Sequence, residues 1–441
     1  MSASPVRERR SDYKLRKKLV NKLRIGIAGL GTVAQGVLHL VRSNGSLMTS
    51  RTGIELVVQR IASRSAKPGV DLLGAVFSTN VHDLVADPEV DVILELIGGE
   101  GLAKDLIESA LAAGKQVVTA NKAVIAAHGD QLLAGGNVPL RFEAAVAGAI
   151  PIIQSLQHGL AANRIDAIYG IINGTCNYML TVMEEEGLGF EEVLAQAQAL
   201  GYAEADPAFD IEGTDAAHKL TILAALGFGT SYDFSALYVE GITQIAVEDL
   251  QYAKELGFKI KHLGIAVHSD AGLETRVHPA LVPESALLAS VNGVMNAVIT
   301  EGKPVGESIL QGEGAGPGPT SSALLSDLLS ILRGNIKNPL GVSVSKLKLL
   351  KNYNINNYVN SLYLRFEVKD KPGVLSQITN RLAKYKISIK RLIQTPDKKN
   401  NKATIVIITH KTSELNCSNC LSIFKTNKNI LKTPTLIRLL S

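Results

Sequence analysis

"LRIGIAGLGTVAQGVLHLV", residues 23–41, decides how the chain folds. A short apolar run from Leu23 to Ala28 stops at a glycine turn, and apolar residues at helical spacing follow directly. The turn, Gly29-Leu30-Gly31-Thr32-Val33-Ala34, has the form of a dinucleotide fingerprint. Gly29 permits the tight turn, Gly31 lets the backbone approach a pyrophosphate, and the small Ala34 lets the helix pack on the strand. The N–H groups of the first helical turn, at Thr32 and Val33, then face the anion. The same letters also describe a plain strand-to-helix turn. Their place at the head of a strand–helix–strand unit favours the dinucleotide.

Further apolar runs follow: "IELVVQRIAS" (54–63), "VDVILELIG" (90–98), "QVVTANK" (116–122) and "VPLRFEAAV" (138–146), with helix-like "KDLIESALAAG" (104–114) among them. This alternation over residues 23–150 predicts a Rossmann-type, doubly wound parallel sheet of class α/β, completed by a segment near 312–334. No acid occurs from Leu56 to Val70, but Arg64 and Lys67 do. A carboxylate there would hold the ribose of NAD(H); basic groups suit the 2′-phosphate, so NADP(H) is the preferred cofactor with NAD(H) the alternative. Arg64 as an ordinary solvated arginine is the competing reading. Lys122 closes its strand and so points toward cofactor and substrate, or simply reaches solvent.

From Pro151 the pattern changes to an α+β domain over 151–311. It contains "GYAEADPAFDIEGTDAAHKL" (201–220), where Glu204, Asp206, Asp210, Glu212 and Asp215 crowd together and Lys219 follows. Thr214 is a candidate helix cap, with Asp215 in the first turn. Asp215 and Lys219 are four residues apart and share a helix face. At a surface such a pair contributes only about 0.3–0.5 kcal/mol. The flanking Ala216, Ala217, Leu220, Ile222 and Leu223 read as buried, however, and a buried lysine near a carboxylate can protonate a carbonyl oxygen. Spacing alone leaves both readings open. His218 lies off that face and reads as packing.

A linker over 335–360 leads to a small α/β module over 361–441, carried by "YLRFEVKDKPGVLSQITNRLAKYKISIKRLIQ" (363–394) and "KATIVIITH" (402–410). The charge is uneven: residues 335–441 hold twenty Lys/Arg against four acids, and residues 1–22 form a basic arm with eight against two. The tail lysines are scattered among asparagines and isoleucines, which reads as compositional drift and not as a nucleic-acid surface. The arm lacks the apolar core of a secretory signal, and Glu8 and Asp12 are unusual in a transit peptide. No apolar run is long enough to span a membrane. Three cysteines make no disulfide framework, so a soluble, cytoplasmic protein is expected. Cys417 and Cys420 form one isolated CxxC, a weak zinc or redox signal beside the plainer reading of two incidental thiols.

Taken with "GLGTVAQGV", "VVTANKA", "FEAAVAGAIPII", "INGTCNYML" and "GEGAGPGPT", in that order along the chain, the acidic block resembles the homoserine dehydrogenase family from about Leu23 onward. The acidic block is the specific part of that match. The resemblance implies reversible reduction of L-aspartate 4-semialdehyde to L-homoserine with NAD(P)H, on the route to threonine, methionine and isoleucine. It implies catalytic and dimerisation roles for the 151–311 domain, with Lys219 as proton donor, Lys122 near nicotinamide and substrate, Glu204 and Asp215 on homoserine, and Gly201 and Gly316 against the cofactor. It further implies a sodium site from Glu143 and the carbonyls of Val146, Gly148 and Ile150, oxygen donors of the kind a hard cation prefers. The module resembles a ferredoxin-like ACT domain, with L-threonine the implied effector near Gly373, in a homodimer or homotetramer. Ala34 stands for a frequent glycine, Cys176 for a frequent threonine, and composition breaks near Gly334. Two rivals remain: a semialdehyde dehydrogenase using Cys176 as nucleophile, and a non-catalytic amino-acid sensor.

Overall fold

The computed structural model describes residues 22–134, 138–334, 344–397 and 400–440. The expected basic arm, apart from Lys22, and residues 335–343 of the expected linker lie outside the described residues. The chain divides into two compact units, one built on the region up to Ala162 with Ala225–Tyr232 and Glu313–Lys348, the other on Asn163–Ala224, Asp233–Gly312 and Leu349–Ser441.

The first unit holds an all-parallel sheet. Its strands are β1 (Lys22–Ala28), β2 (Glu55–Ala62), β3 (Val76–Ser78), β4 (Val92–Glu95), β5 (Gln116–Thr119) and β6 (Leu140–Arg141), in the order β3-β2-β1-β4-β5-β6. The strand order reverses beside β1, the switch point at which such sheets bind ligands. Ile25, Ile27, Val92, Ile93 and Leu94 are fully buried, as expected of strands covered on both faces. The Pro317–Leu332 helix returns to lie on the Thr32–Thr52 helix. A Cβ at Gly36 would come 2.7 Å from Pro317 O, and Ser321 Oγ donates to Val33 O at 3.0 Å.

Two strand readings are corrected. "QVVTANK" ends as a strand at Thr119, and Lys122 is the first residue of the Lys122–Ala134 helix. Thr119 Oγ1 accepts from Asn121 N–H, and Asn121 Oδ1 accepts from Val124 N–H, so local capping bonds turn the chain. "VPLRFEAAV" is extended only at Leu140–Arg141 and then closes into a 3-10 turn at Glu143–Ala145, where Asp327 Oδ2 captures the Glu143 N–H at 2.8 Å.

The second unit is organised by a ten-stranded sheet. Its strands are β7 (Arg164–Ile171), β8 (Tyr238–Val239), β9 (Phe258–Ser269), β10 (Gly272–Pro283), β11 (Met295–Lys303) and β12 (Gly306–Glu313), then β14 (Leu362–Lys369), β15 (Ile389–Asp397), β16 (Lys402–Thr409) and β18 (Thr435–Leu439). A separate short pair joins β13 (Val359–Asn360) to β17 (Thr412–Ser413). The main path runs β12-β11-β7-β9-β10-β18-β14-β16-β15, with β8 on β10. Residues 362–439 thus form a βαββαβ module with strand order β18-β14-β16-β15, joined to the rest of the unit through parallel β10–β18 pairing.

Period-2 alternation explains why β14 is buried on both faces. Leu362, Leu364, Phe366 and Val368 pack under the module's helices, Val374–Lys384 and Glu414–Phe424. Tyr363 joins Val406, Ile408 and Ile437 in a core shared with Met179, Leu180, Leu250 and Ile260. Into that core project two polar groups from the module. Arg365 Nε and Nη2 donate to Asp249 Oδ1 and Oδ2 at 2.6 and 2.8 Å, and Tyr363 OH donates to Oδ1 at 2.9 Å. Asp249 also accepts from Ala246 N–H, fixing the start of the Val247–Glu255 helix.

No helix among the described residues is long and apolar enough to cross a membrane. Asp249→Ala takes the forked carboxylate from a buried guanidinium, leaving it only Glu367 and Thr435, and removes the acceptor of the Tyr363 phenol; the expected cost is about 3 kcal/mol, measured as a lowered Tm in thermal denaturation of the full chain.

Candidate active site

Lys219 lies on the Thr214–Phe228 helix, whose flanking alanines, leucines and isoleucines are buried. Only 8% of the lysine and 2% of Asp215 are exposed. Lys219 Nζ donates to Asp215 Oδ2 at 2.8 Å and to Ile172 O at 2.8 Å. The surface-pair reading is therefore excluded for this ion pair. Gly213, not Thr214, takes the cap position: its carbonyl accepts from Ala217 N–H at 3.0 Å, and its φ of +90° suits glycine. His218 sits between the rings of Phe209 and Phe234, at 5.5 and 4.6 Å, in keeping with packing.

Two residues beside this pair went unassigned in the sequence. Asn173 Nδ2 donates to Asp215 Oδ2 at 2.7 Å and to Asp210 Oδ1 at 2.8 Å, so one amide holds two carboxylates. Its Oδ1 accepts from Cys176 N–H at 2.8 Å, capping the Gly174–Glu186 helix. Thr175 Oγ1 donates to Tyr202 O at 2.7 Å, which ties that cap to the acidic loop. The available signal was the polar Asn-Gly-Thr run at the end of β7, a helix start in the chain's own chemistry. Glu204 and Gly201 stay exposed on the loop, Gly201 with φ +76°.

Cys176 is fully buried and its thiol donates to Asp210 O at 3.2 Å. Burial, together with Asp210 and Asp215, pushes the thiol well above its ordinary pKa despite the opposing influence of Lys219. A nucleophile must be a thiolate, so the geometry opposes the Cys176 rival. Cys417 and Cys420 are likewise buried in the module core near Phe424, as incidental thiols would be.

In the first unit, Gly29 has φ +101°, and a Cβ there would meet Leu96 O at 2.6 Å. Gly31 caps the Thr32–Thr52 helix without a side-chain bond; Gly31 and Thr32 are exposed and Val33 half-buried. Arg64 stands exposed just beyond β2, whereas Arg60 is engaged with Asp87 at 2.8 Å. Lys122 opens its helix, where the macrodipole disfavours a cation. Gly316, φ +111°, precedes the Pro317–Leu332 helix.

Glu143 is buried, its Oε1 and Oε2 accepting from the N–H groups of Ile153 and Gln154 at 2.9 and 2.7 Å. Burial and the neighbouring Asp327 push its carboxyl up to about 8. Ala147 and Gly148 both take left-handed φ, +56° and +50°, between Val146 and Ile150. A Cβ at Gly148 would meet the Gly314 backbone at 2.7 Å.

Comparison with known proteins agrees with this geometry. The family profile "Homoserine dehydrogenase, NAD binding domain" matches residues 29–137, "Homoserine dehydrogenase" matches 151–329, and "ACT domain" matches 362–416. A homoserine dehydrogenase of Pseudomonas aeruginosa is 43% identical over 402 residues, covering 89% of this chain and 93% of the relative. The chain belongs to the homoserine dehydrogenase family. The crystal structure of a homoserine dehydrogenase from Thiobacillus denitrificans superposes with TM-score 0.89 at 42% identity, over 95% of this chain and 98% of that one. A hyperthermophilic archaeal homoserine dehydrogenase solved in complex with NADPH gives TM-score 0.61 at 26% identity, over 71% and 99%. Homoserine dehydrogenases are oxidoreductases acting on a CH–OH group, and membership assigns that activity class to the chain.

In the native protein Cys176 is expected to resist thiol alkylation at pH 8 and to react once the chain is unfolded. Mass spectrometry of the labelled peptide measures both.

Proposed function

We propose that the chain reduces L-aspartate 4-semialdehyde to L-homoserine, reversibly, with NADP(H) preferred over NAD(H). The observation that carries this reading is the buried Lys219–Asp215 pair held by Asn173 at the head of the catalytic-domain helix. The cofactor, when bound, supplies hydride to the C4 aldehyde. Lys219 gives a proton to the aldehyde oxygen as charge develops there, and Asp215 keeps the ammonium protonated and aimed. Glu204 and Asp215 orient the amino acid, Asp215 by attracting its ammonium group, and Lys122 adds positive charge near the nicotinamide and substrate.

For the cofactor, the cramped turn at Gly29, the bare helix start at Gly31, Thr32 and Val33, and Gly316 before the Pro317–Leu332 helix support backbone contact with phosphates and ribose. Arg64 would hold the 2′-phosphate. The residues of the 143–150 loop fit a monovalent cation: an electrostatically strained carboxylate at Glu143 and a left-handed turn between Val146 and Ile150. With the carbonyls of Val146, Gly148 and Ile150, Glu143 would hold sodium and brace the loop. The ACT module is read as regulatory, with L-threonine as effector near Gly373, the left-handed residue before its first helix. Buried free cysteines suit a reducing cytoplasm, and a homodimer or homotetramer is the expected assembly.

Homoserine oxidation with NADP and with NAD, each with and without threonine, tests the reading; no turnover with either cofactor would sink it. Lys219→Ala is expected to lower kcat by about 10²–10⁴ with cofactor binding retained in fluorescence titration. Arg64→Ala should raise the KM for NADP(H) and leave that for NAD(H) nearly unchanged, as steady-state kinetics would reveal.

A further inference from the structure

Besides the shared apolar core, the ACT module is linked to the segment just before the Lys219 helix through the polar contacts of the stretch Tyr238 to Ile242. Arg438, near the end of β18, is almost wholly buried. Its Nη1 donates to Glu240 Oε2 at 2.8 Å and its Nη2 to Tyr238 OH at 3.1 Å, and Nη2 also reaches Glu414 on the module's second helix. The Glu240 N–H donates to Val277 O of β10 at 2.8 Å. Glu240 is thus gripped by the module through its side chain and by the central sheet through its backbone.

On its other side, Glu240 O bonds to His262 Nε2 at 3.0 Å. A carbonyl only accepts, so Nε2 carries the proton. Burial lowers the pKa of this imidazole and keeps it neutral. The ring abuts Gly213: a Cβ there would lie 3.3 Å from both Cε1 and Nε2. Gly241 is tighter still, since a Cβ would fall 2.1 Å from Ile211 O, the same carbonyl that accepts from Ile242 N–H at 2.8 Å. Ile211 and Gly213 flank the turn that sets where the Asp215–Lys219 helix begins.

We propose that Arg438, Glu240 and His262 are positioning residues, a clamp through which the ACT module sets the placement of Asp215 and Lys219. This rests on the activity proposed above. The charge-assisted bonds fix Glu240, and the contacts of its carbonyl and of Gly241 leave the 211–213 turn no room to shift toward it. A misplacement of about 1 Å at a reacting group can cost about 10²-fold in rate.

Full-length Glu240→Gln, Arg438→Gln, the double variant and Arg438→Lys test this. Each single Gln variant is expected to lower kcat about tenfold with the KM for NADP(H) unchanged. The double variant should be no slower than the worse single one, and Arg438→Lys should recover most of the rate. Unchanged kcat, losses that multiply in the double variant, or a KM for NADP(H) rising in parallel would overturn the clamp. Should the charge variants not fold, His262→Ala leaves the ion cluster intact: a folded His262→Ala protein with wild-type kcat also overturns it. Amide hydrogen exchange over residues 210–219 reads the clamp without reference to activity. It should speed up in Arg438→Gln, and unchanged exchange counts against the proposal. A wild-type chain that oxidises no homoserine, with exchange still faster in Arg438→Gln, would sink the activity and leave the clamp standing.

Discussion

An ammonium group enclosed by protein gains from a nearby counter-charge, and two buried lysines in the second unit are partnered differently. Lys261 donates to Val291 O and Asn292 Oδ1 at 2.6 and 2.9 Å, neutral acceptors, and burial with the nearby Lys259 drags its pKa down to about 8. Lys219 has a carboxylate one helical turn away. Everything at the site follows from satisfying that carboxylate in turn. Asn173 bonds to it, the Gly174–Glu186 helix holds Asn173 as its cap, and Asp210 takes the amide's second hydrogen. Removing any member strands a buried polar group, which is costly enough to keep the arrangement rigid.

The regulatory module obeys the same constraint on a larger scale. Its sheet has one face for its own helices and another that is buried with the catalytic-domain helices. Arg365 is carried into that second interface, and Asp249 receives it in a paired fork geometry. The module is therefore part of the second unit's interior.

How much of this could be read beforehand depended on distance along the chain. The glycine turn at 29–31, the alternation that follows it and the acidic block are local patterns, and each lies where local chemistry put it. Asn173 was opaque because its partners Asp210 and Asp215 lie 37 and 42 residues away. Asp210 looked no different from its acidic neighbours until Asn173 reached it. Asn121 misled for the opposite reason: an apolar run masked a capping side chain that ended the strand early. The shared core was invisible for a third reason. Tyr363 and Arg365 alternate with apolar residues, and only the folded chain supplies the surface that covers them.

The topology also dictates an order of assembly. β18 spans Thr435–Leu439, later in sequence than every other described strand, yet it lies between β10 and β14. Until these residues are in place, the two halves of the ten-stranded sheet have no strand to join them, and β10 and β14 present open edges. A single late strand thus acts as the keystone of the second unit. A chain truncated before residue 435 would lose the hinge pin of the whole unit along with its terminal strand.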